Sequence, residues 1–284
     1  MRVCKQFNLQ PYNSYRLNAT CETAYFPSNE AEIRAVFQEN KERKILLGSG
    51  HNVILSKTYY PESFVIFADN LNKTKLDGTT IEVEAGATMV ELCDLALQHE
   101  LTGLETFYDI PSSAGGAVVM NAGAGGEEMK DLLISVKYYD PLSDSFHEIR
   151  KEDIGFEYRN SFFQKNPGLI VVSAKLQLQK GTREQIKEKM ERIKTTRWQK
   201  QPRDLPNAGS VFKRPPGHFV GPLVDELGLK GFSIGDAQIS GKHSGFIVNK
   251  GNATGKDIID LITYVQQKVK EKFNLHLEVE QRIL

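Results

Sequence analysis

Ser210 follows Ala208-Gly209 in the stretch PNAGSVFKRP and stands three residues before Lys213, with no adjacent histidine to deprotonate it. It is therefore a poor nucleophile, yet a hydroxyl can hand a proton to a carbanion formed beside it. Arg159, in FEYRNSFF, carries an always-ionised planar fork suited to stabilising developing negative charge. The bland alternative is a surface ion pair beside a small aromatic cluster. In the terminal LEVEQRIL, alternation puts Leu277, Val279 and Gln281 on one face and Glu278, Glu280 and Arg282 on the other. Those charges serve either a site or a solvated strand face.

Two glycine clusters could bare backbone to a ligand. In LLGSGHNVILS the turn Gly48-Ser49-Gly50-His51-Asn52 lets N–H groups converge on an anion without Cβ interference. It lacks the third glycine of a dinucleotide fingerprint and the Gly-Lys-Ser/Thr of a P-loop. The flanking runs KILL and VIL predict a strand on each side, so an ordinary glycine hairpin is the alternative. The second cluster, DIPSSAGGAVVMNAGAGGEEM over residues 109–129, includes Ile110, Pro111, Ser112, Ser113, Gly115, Gly116, Ala117, Asn121 and Gly123. So many side-chain-poor positions admit a broad flat group lying on backbone, although close packing of two protein backbones needs the same composition. One cluster suits an anion and the other a planar group. Together they suggest a dinucleotide with a large ring system, which flavin adenine dinucleotide (FAD) is.

The chain has 284 residues, length enough for two or three lobes with sizeable cores. Lys plus Arg and Asp plus Glu number 36 each, with no polybasic tract. Neither nucleic acid nor a membrane surface is an expected partner. Cys4, Cys21 and Cys93 are far apart, with no CxxC, which predicts a reducing compartment and no metal site. Residues 1–15 carry no apolar leader, and no run approaches the roughly 18 apolar residues of a membrane span. A cytoplasmic monomer is the expectation.

The elements that must position these groups follow from periodicity. A helix is expected behind Ser28/Asn29, with Ile33, Val36 and Phe37 at helical spacing, and a buried strand over 64–71. TTIEVEAGAT, LLISVKYYDP and GLIVVSAKLQLQ read as strands, and MVELCDLALQHEL as a helix with Leu92, Leu95 and Ala96 on one side. The charged stretch 183–198 reads as an exposed helix bridging sections, with Ile186, Met190 and Ile193 as its stripe. A short helix near PLVDELG and a strand SGFIVN follow. A strong helix then starts at Thr254 with Ile258, Leu261, Ile262, Val265 and Val269 inward, and LHLEVEQRIL forms a last strand. Texture divides the chain at 1–72, 73–182 and 183–284.

Six stretches, LGSGHN, IPSSAGGAVVMNAGAGG, YRNSFF, PNAGSVFKRPPG, AQISGKHSGFIVN with GNAT after it, and LEVEQR, occur in this order and spacing. In that register the chain resembles the UDP-N-acetylenolpyruvylglucosamine reductases, MurB-type flavoenzymes of peptidoglycan synthesis, over nearly its whole length and least before residue 45. The resemblance implies an α+β fold: a two-lobed FAD-binding unit of the vanillyl-alcohol-oxidase (PCMH) type, residues 1–72 and 73–182, then a C-terminal α+β substrate-binding domain, 183–284. It implies that NADPH reduces the flavin, which passes hydride to the enolpyruvyl double bond of a UDP-sugar and gives UDP-N-acetylmuramate. Gly48 to Asn52 would hold the FAD pyrophosphate, and residues 110–126 would line the isoalloxazine. Hydride at C3 leaves carbanion or enolate character at C2. Arg159 and Glu280 correspond to the family pair that stabilises it, Glu280 while protonated, for which a raised pKa in the closed site is expected. Ser210 corresponds to the residue that protonates C2. Tyr158, Arg159, Lys213, Arg214, Gln238 and His243 correspond to substrate contacts, Lys213 as a point charge for a diphosphate or carboxylate.

Five positions depart from the family pattern. His51 stands where serine is typical, Ser112 and Asp236 where glycine is, Arg214 where asparagine is, and Gln281 where a small aliphatic residue is. A histidine in a similar turn is joined covalently to flavin in more distant relatives; His51 is read here as a phosphate donor. The short span between Arg159 and Ser210 resembles the family form lacking an extra substrate-covering loop. Two rival readings stay open: an FAD enzyme with another substrate, and a catalytically silent UDP-sugar binder.

Overall fold

The computed structural model describes residues 1–39, 42–68 and 70–284. Asn40, Lys41 and Asp69, within the stretches expected as first helix and buried strand, lie outside the described residues. The chain forms two compact units. The first comprises Met1–Cys4, Thr23–Ser49 and Glu62–Thr196; the second comprises Lys5–Glu22, Gly50–Pro61 and Arg197–Leu284. This grouping differs from the three consecutive stretches expected from texture, because each unit is assembled from segments far apart in sequence.

The first unit begins as a parallel β-α-β arrangement. Ala24 and Tyr25 of strand Thr20–Phe26 pair with Phe64 and Val65, and strand Lys44–Leu47 pairs with Ser63–Ile66. Helix Glu30–Glu39 starts as the sequence suggests: Asn29 Oδ1 accepts from the Glu32 N–H, while Glu32 accepts from the Ser28 N–H and hydroxyl. Ile33 and Val36 are its buried residues. A second, antiparallel sheet runs in the order Ser145–Arg150, Leu133–Asp140, Ile170–Gln177, Thr80–Glu84, Thr74–Asp77. Helix Met89–Gln98 starts from a capping box made by Thr88 and Glu91 and buries Met89, Leu92, Cys93 and Ala96 in the core it shares with that sheet. Burial of a side chain the size of Met89 or Leu92 contributes about 1.5–3 kcal/mol. Helix Arg183–Lys200 buries only Ile186 and Met190, and the chain leaves the first unit along it, after Thr196.

In the second unit a three-stranded antiparallel sheet, Ser233–Ile234, Ala237–Ile239 and Ile247–Asn249, packs with helix Gly255–Phe273. Ile258, Leu261, Ile262, Val265 and Val269 all point inward, and Thr254 and Asp257 complete a capping box. Two strand expectations change. The runs around residues 48–52 do not pair with each other, so there is no glycine hairpin. Lys44–Leu47 lies beside Ser63–Ile66, and Val53–Ile54 pairs in parallel with Arg282–Ile283. The terminal stretch forms no continuous strand either: only Arg282–Ile283 is laddered, with an isolated bridge from Val279 to Phe212. Its alternation survives nonetheless, with Leu277 and Gln281 buried and Glu278 exposed.

Candidate active site

Ser210 and Glu280, seventy residues apart in sequence, lie on neighbouring segments of the second unit. The Glu280 N–H donates to the Val211 carbonyl at 2.8 Å and the Lys213 N–H to the Glu278 carbonyl at 2.9 Å. Phe212 bridges Val279, and Ser210 bridges Phe246. The Ser210 segment is shaped locally by Asn207, whose Oδ1 accepts from the Gly209 N–H while its amide donates to the Pro202 and Leu205 carbonyls. Ser210 is exposed and Glu280 half-buried. Asn52, at the end of the first glycine cluster, donates from Nδ2 to the Glu280 carbonyl at 3.3 Å and accepts the Arg282 N–H at 3.0 Å.

In the first unit Gly48 and Ser49, the start of the first glycine cluster, meet the second cluster. Ser49 Oγ accepts from the Ser113 N–H at 3.2 Å, and a Cβ on Gly48 would stand 3.0 Å from Ser113 Oγ. Ser113 caps the short helix Ala114–Val119 by accepting from the Gly116 N–H. Part of the second cluster is small because protein packs on it: a Cβ on Gly115 would lie 2.7 Å from Ala85 Cβ, and one on Gly123 2.2 Å from the Glu127 carbonyl. The rest is bare. Among the described residues no atom comes within 4 Å of a Cβ built on Gly125 or Gly126, and Gly116 would meet only the Ser112 and Ser113 hydroxyls. A flat group can rest on such uncovered backbone, so these residues fit a flavin.

Arg159 is held over the same segment. Glu157 and Asn160 exchange backbone hydrogen bonds at 3.1 and 3.2 Å around a tight turn, with Arg159 at φ +52°, a conformation that costs a non-glycine residue about 1–3 kcal/mol. Its guanidinium donates to the Asn121 and Gly123 carbonyls at 3.3 and 2.6 Å and lies 5.0 Å from the Tyr158 ring centroid. Asn121 is fully buried; its amide donates to Glu128 Oε2 and the Glu157 carbonyl, and its Oδ1 accepts the Lys130 N–H. The Asn121 side chain is thus directed at protein groups and ties the glycine segment to the Arg159 turn.

Residues 22–144 match an FAD-binding domain model, and residues 201–284 match the C-terminal domain model of UDP-N-acetylenolpyruvoylglucosamine reductase. The chain is 40% identical over 284 residues to the UDP-N-acetylenolpyruvoylglucosamine reductase of Francisella tularensis, covering 99% of this chain and 100% of that one. The chain belongs to that reductase family. The protein of that name from Streptococcus pneumoniae is 42% identical over 279 residues, 97% of this chain and 92% of the relative. The crystal structure of the Thermus caldophilus reductase (MurB) superposes with a TM-score of 0.86 at 33% identity, covering 100% of this chain and 99% of that chain. As a member of the reductase family this protein is an FAD-dependent oxidoreductase of α+β fold, with an FAD-binding domain followed by the family's C-terminal domain. Among the described residues, no helix is long and apolar enough to cross a membrane and no cluster of metal ligands occurs.

Four further positions picked out as family substrate contacts lie in the second unit with local partners. Lys213 Nζ pairs with Glu278 Oε1 at 2.7 Å. The Arg214 guanidinium sits 4.4 Å from the Phe219 ring centroid, and that ring is 60% exposed. Gln238 donates to the Gly231 carbonyl and to Ser233 Oγ, which braces its own hairpin. His243 Nδ1 accepts from the Gly245 N–H at 3.1 Å, which leaves Nε2 as the protonated nitrogen of the neutral ring. Burial pushes its pKa below the usual histidine range. Gly245 in turn accepts the Val211 N–H at 3.0 Å, so this loop braces the Ser210 segment. Sequence reasoning missed Tyr15 and Asn249, both buried polar partners of this region. Asn249 ends an apolar run and Tyr15 carries no local signal at all.

Proposed function

We propose that this protein reduces UDP-N-acetylglucosamine enolpyruvate to UDP-N-acetylmuramate with NADPH, in the cytoplasm, as a step of peptidoglycan synthesis. Gly48 to Asn52 hold the FAD pyrophosphate, and the segment from Ile110 to Gly126 carries the ring system. Bound FAD supplies the hydride that arrives at C3 of the enolpyruvyl group. Ser210 delivers the proton to C2. Arg159 opposes the negative charge that gathers on C2 and the conjugated carboxylate with its planar guanidinium fork. Protonated Glu280 donates a hydrogen bond to the same charge, since an ionised carboxylate there would repel it. Tyr158, Lys213, Arg214, Gln238 and His243 bind and orient the UDP-sugar.

The observation that supports this reading most directly is the pairing of the Ser210 and Glu280 segments through the Glu280 N–H and Val211 carbonyl. A hydroxyl donor and a carboxylic acid are both required where the new carbanion forms. The test is a pair of anaerobic half-reactions. NADPH should bleach the flavin of the native protein, and the enolpyruvyl substrate should restore it. Ser210→Ala should bleach normally and reoxidise several orders of magnitude more slowly. Bleaching without reoxidation in the native protein would assign another substrate, and protein that neither holds flavin nor oxidises NADPH would refute the reductase reading.

A further inference from the structure

Gln281 is 4% exposed and stands on the face of the terminal segment otherwise made by Leu277 and Val279. Its amide is fully used. Nε2 donates to the carbonyls of Ala208, Gly209 and Ser210 at 3.0, 3.2 and 3.4 Å. Oε1 accepts from the Tyr15 hydroxyl at 3.0 Å. Tyr15 is completely buried, and its own carbonyl accepts from Asn249 Nδ2 at 2.8 Å. Asn249 in turn donates its N–H to the Pro206 carbonyl at 2.9 Å. The segment leading into Ser210 is therefore held at Pro206 by one buried amide residue and at 208–210 by another.

This arrangement has a direction. An amide can present either end, and three converging carbonyls demand the NH2 end; the Tyr15 hydroxyl, which donates to the oxygen, selects that orientation. An apolar residue at 281 would leave those carbonyls without their buried donor, and the segment would move to find another. Because Gln281 directly follows Glu280, its amide adds to the Glu280–Val211 backbone bond in tying the Ser210 segment to the Glu280 segment. We propose that Gln281 is a positioning residue for proton delivery, clamping the Ser210 segment against Glu280, with Tyr15 setting the orientation of its amide. The inference rests on the roles proposed above for Ser210 and Glu280. It concerns neither flavin binding nor hydride supply.

The test uses Gln281→Met, which keeps volume and removes the donor, and Tyr15→Phe, which removes only the hydroxyl. Rates are taken per bound flavin in the purified holoenzyme. Reduction by NADPH is expected to stay within about twofold of native, while reoxidation by substrate slows about 10–100-fold in Gln281→Met and less in Tyr15→Phe, as a misplaced donor requires. The solvent deuterium isotope effect on reoxidation should grow in both. Independently of activity, amide hydrogen exchange over residues 206–213 should quicken in flavin-free protein while the helix Gly255–Phe273 keeps its protection. Native reoxidation in both variants, equal slowing of both half-reactions, or unchanged exchange over 206–213 would overturn the proposal. Ser210→Ala separates the two levels. If it reoxidises at the native rate, the Ser210 assignment fails and the clamp with it. If it is slow while Gln281→Met is native, the clamp alone fails.

Discussion

Gly50→Ala measures how tightly the first glycine turn is built. Gly50 lies at φ +71°, and a Cβ there would stand 2.0 Å from the Tyr12 carbonyl oxygen and 3.1 Å from Asn13 Cα, where ordinary contact begins at 3.4 Å. Gly228 is the matched control in the same unit: φ is +69°, and no described atom lies within 4 Å of its Cβ position. Both alanines incur the left-handed penalty of about 1–2 kcal/mol. Gly50→Ala adds about 1–3 kcal/mol for displacing packed backbone. The shift also strains the Ser14 N–H bond to the Gly50 carbonyl, 3.0 Å long, a further cost of about 1 kcal/mol. The total is about 3–6 kcal/mol against about 1–2 for the control. At about 2–4 °C per kcal/mol for chains approaching this size, Gly50→Ala should melt at least about 4 °C below Gly228→Ala. Differential scanning calorimetry reads the gap, and flavin absorbance per protein reads whether the variant retains FAD. Equal melting temperatures would show that the Tyr12 carbonyl yields freely and would refute the close-approach argument.

Glu280→Ala should slow flavin reoxidation by about 10²–10³-fold, as loss of a transition-state hydrogen-bond donor does. Glu280→Gln, which still donates, should be clearly milder, and equal damage in stopped-flow traces would count against the neutral-donor role. Burial pushes the Glu105 carboxyl up, but the Thr102 hydroxyl, backbone N–H groups including that of Gly103, and Lys189 3.5 Å away outweigh it, so its pKa lies below the usual range. A folded pKa below the unfolded one stabilises at neutral pH, and that share is lost as pH drops below about 4.3 toward the folded value. The melting temperature of native protein should thus fall more steeply in acid than that of Glu105→Gln; parallel curves would refute this. His243, lowered by burial, contributes stability that declines as pH falls below about 6.5, because the unfolded chain takes up the proton first. His243→Asn keeps an acceptor for the Gly245 N–H and does not titrate, so its melting curve should flatten across that window. An unchanged slope would remove His243 as the cause.

Features governed by neighbours in sequence were legible. The helix at 255–273 announced itself through its capping residues and the five inward apolar positions, and the helix at 89–98 through the spacing of Leu92, Leu95 and Ala96, of which Leu92 and Ala96 are buried. Strand runs were equally visible, but their partners were not: KILL and VIL flank one turn yet pair with Ser63–Ile66 and Arg282–Ile283, because pairing is decided by packing over long separations. The candidate site divides likewise. Ser210, Arg159 and Glu280 stand out by residue type, whereas the carbonyls that hold the Arg159 guanidinium, the Glu278 partner of Lys213 and the Tyr15–Gln281 bond are tertiary facts with no local trace. Two of the five glycines at 115–126, Gly115 and Gly123, also have a packing cause that composition could not separate from a ligand surface.

The second unit is stitched from Lys5–Glu22, Gly50–Pro61 and Arg197–Leu284. A ribosome translating about 5–20 residues per second releases the first two pieces roughly 7–30 s before the third begins to emerge. During that interval the nascent chain carries apolar segments whose partners do not yet exist, a hazard for self-association that chaperones exist to contain. The same interleaving means that a fragment beginning near residue 197 lacks two of the three pieces of its own core, so cutting the gene at that helix would yield insoluble halves rather than working modules.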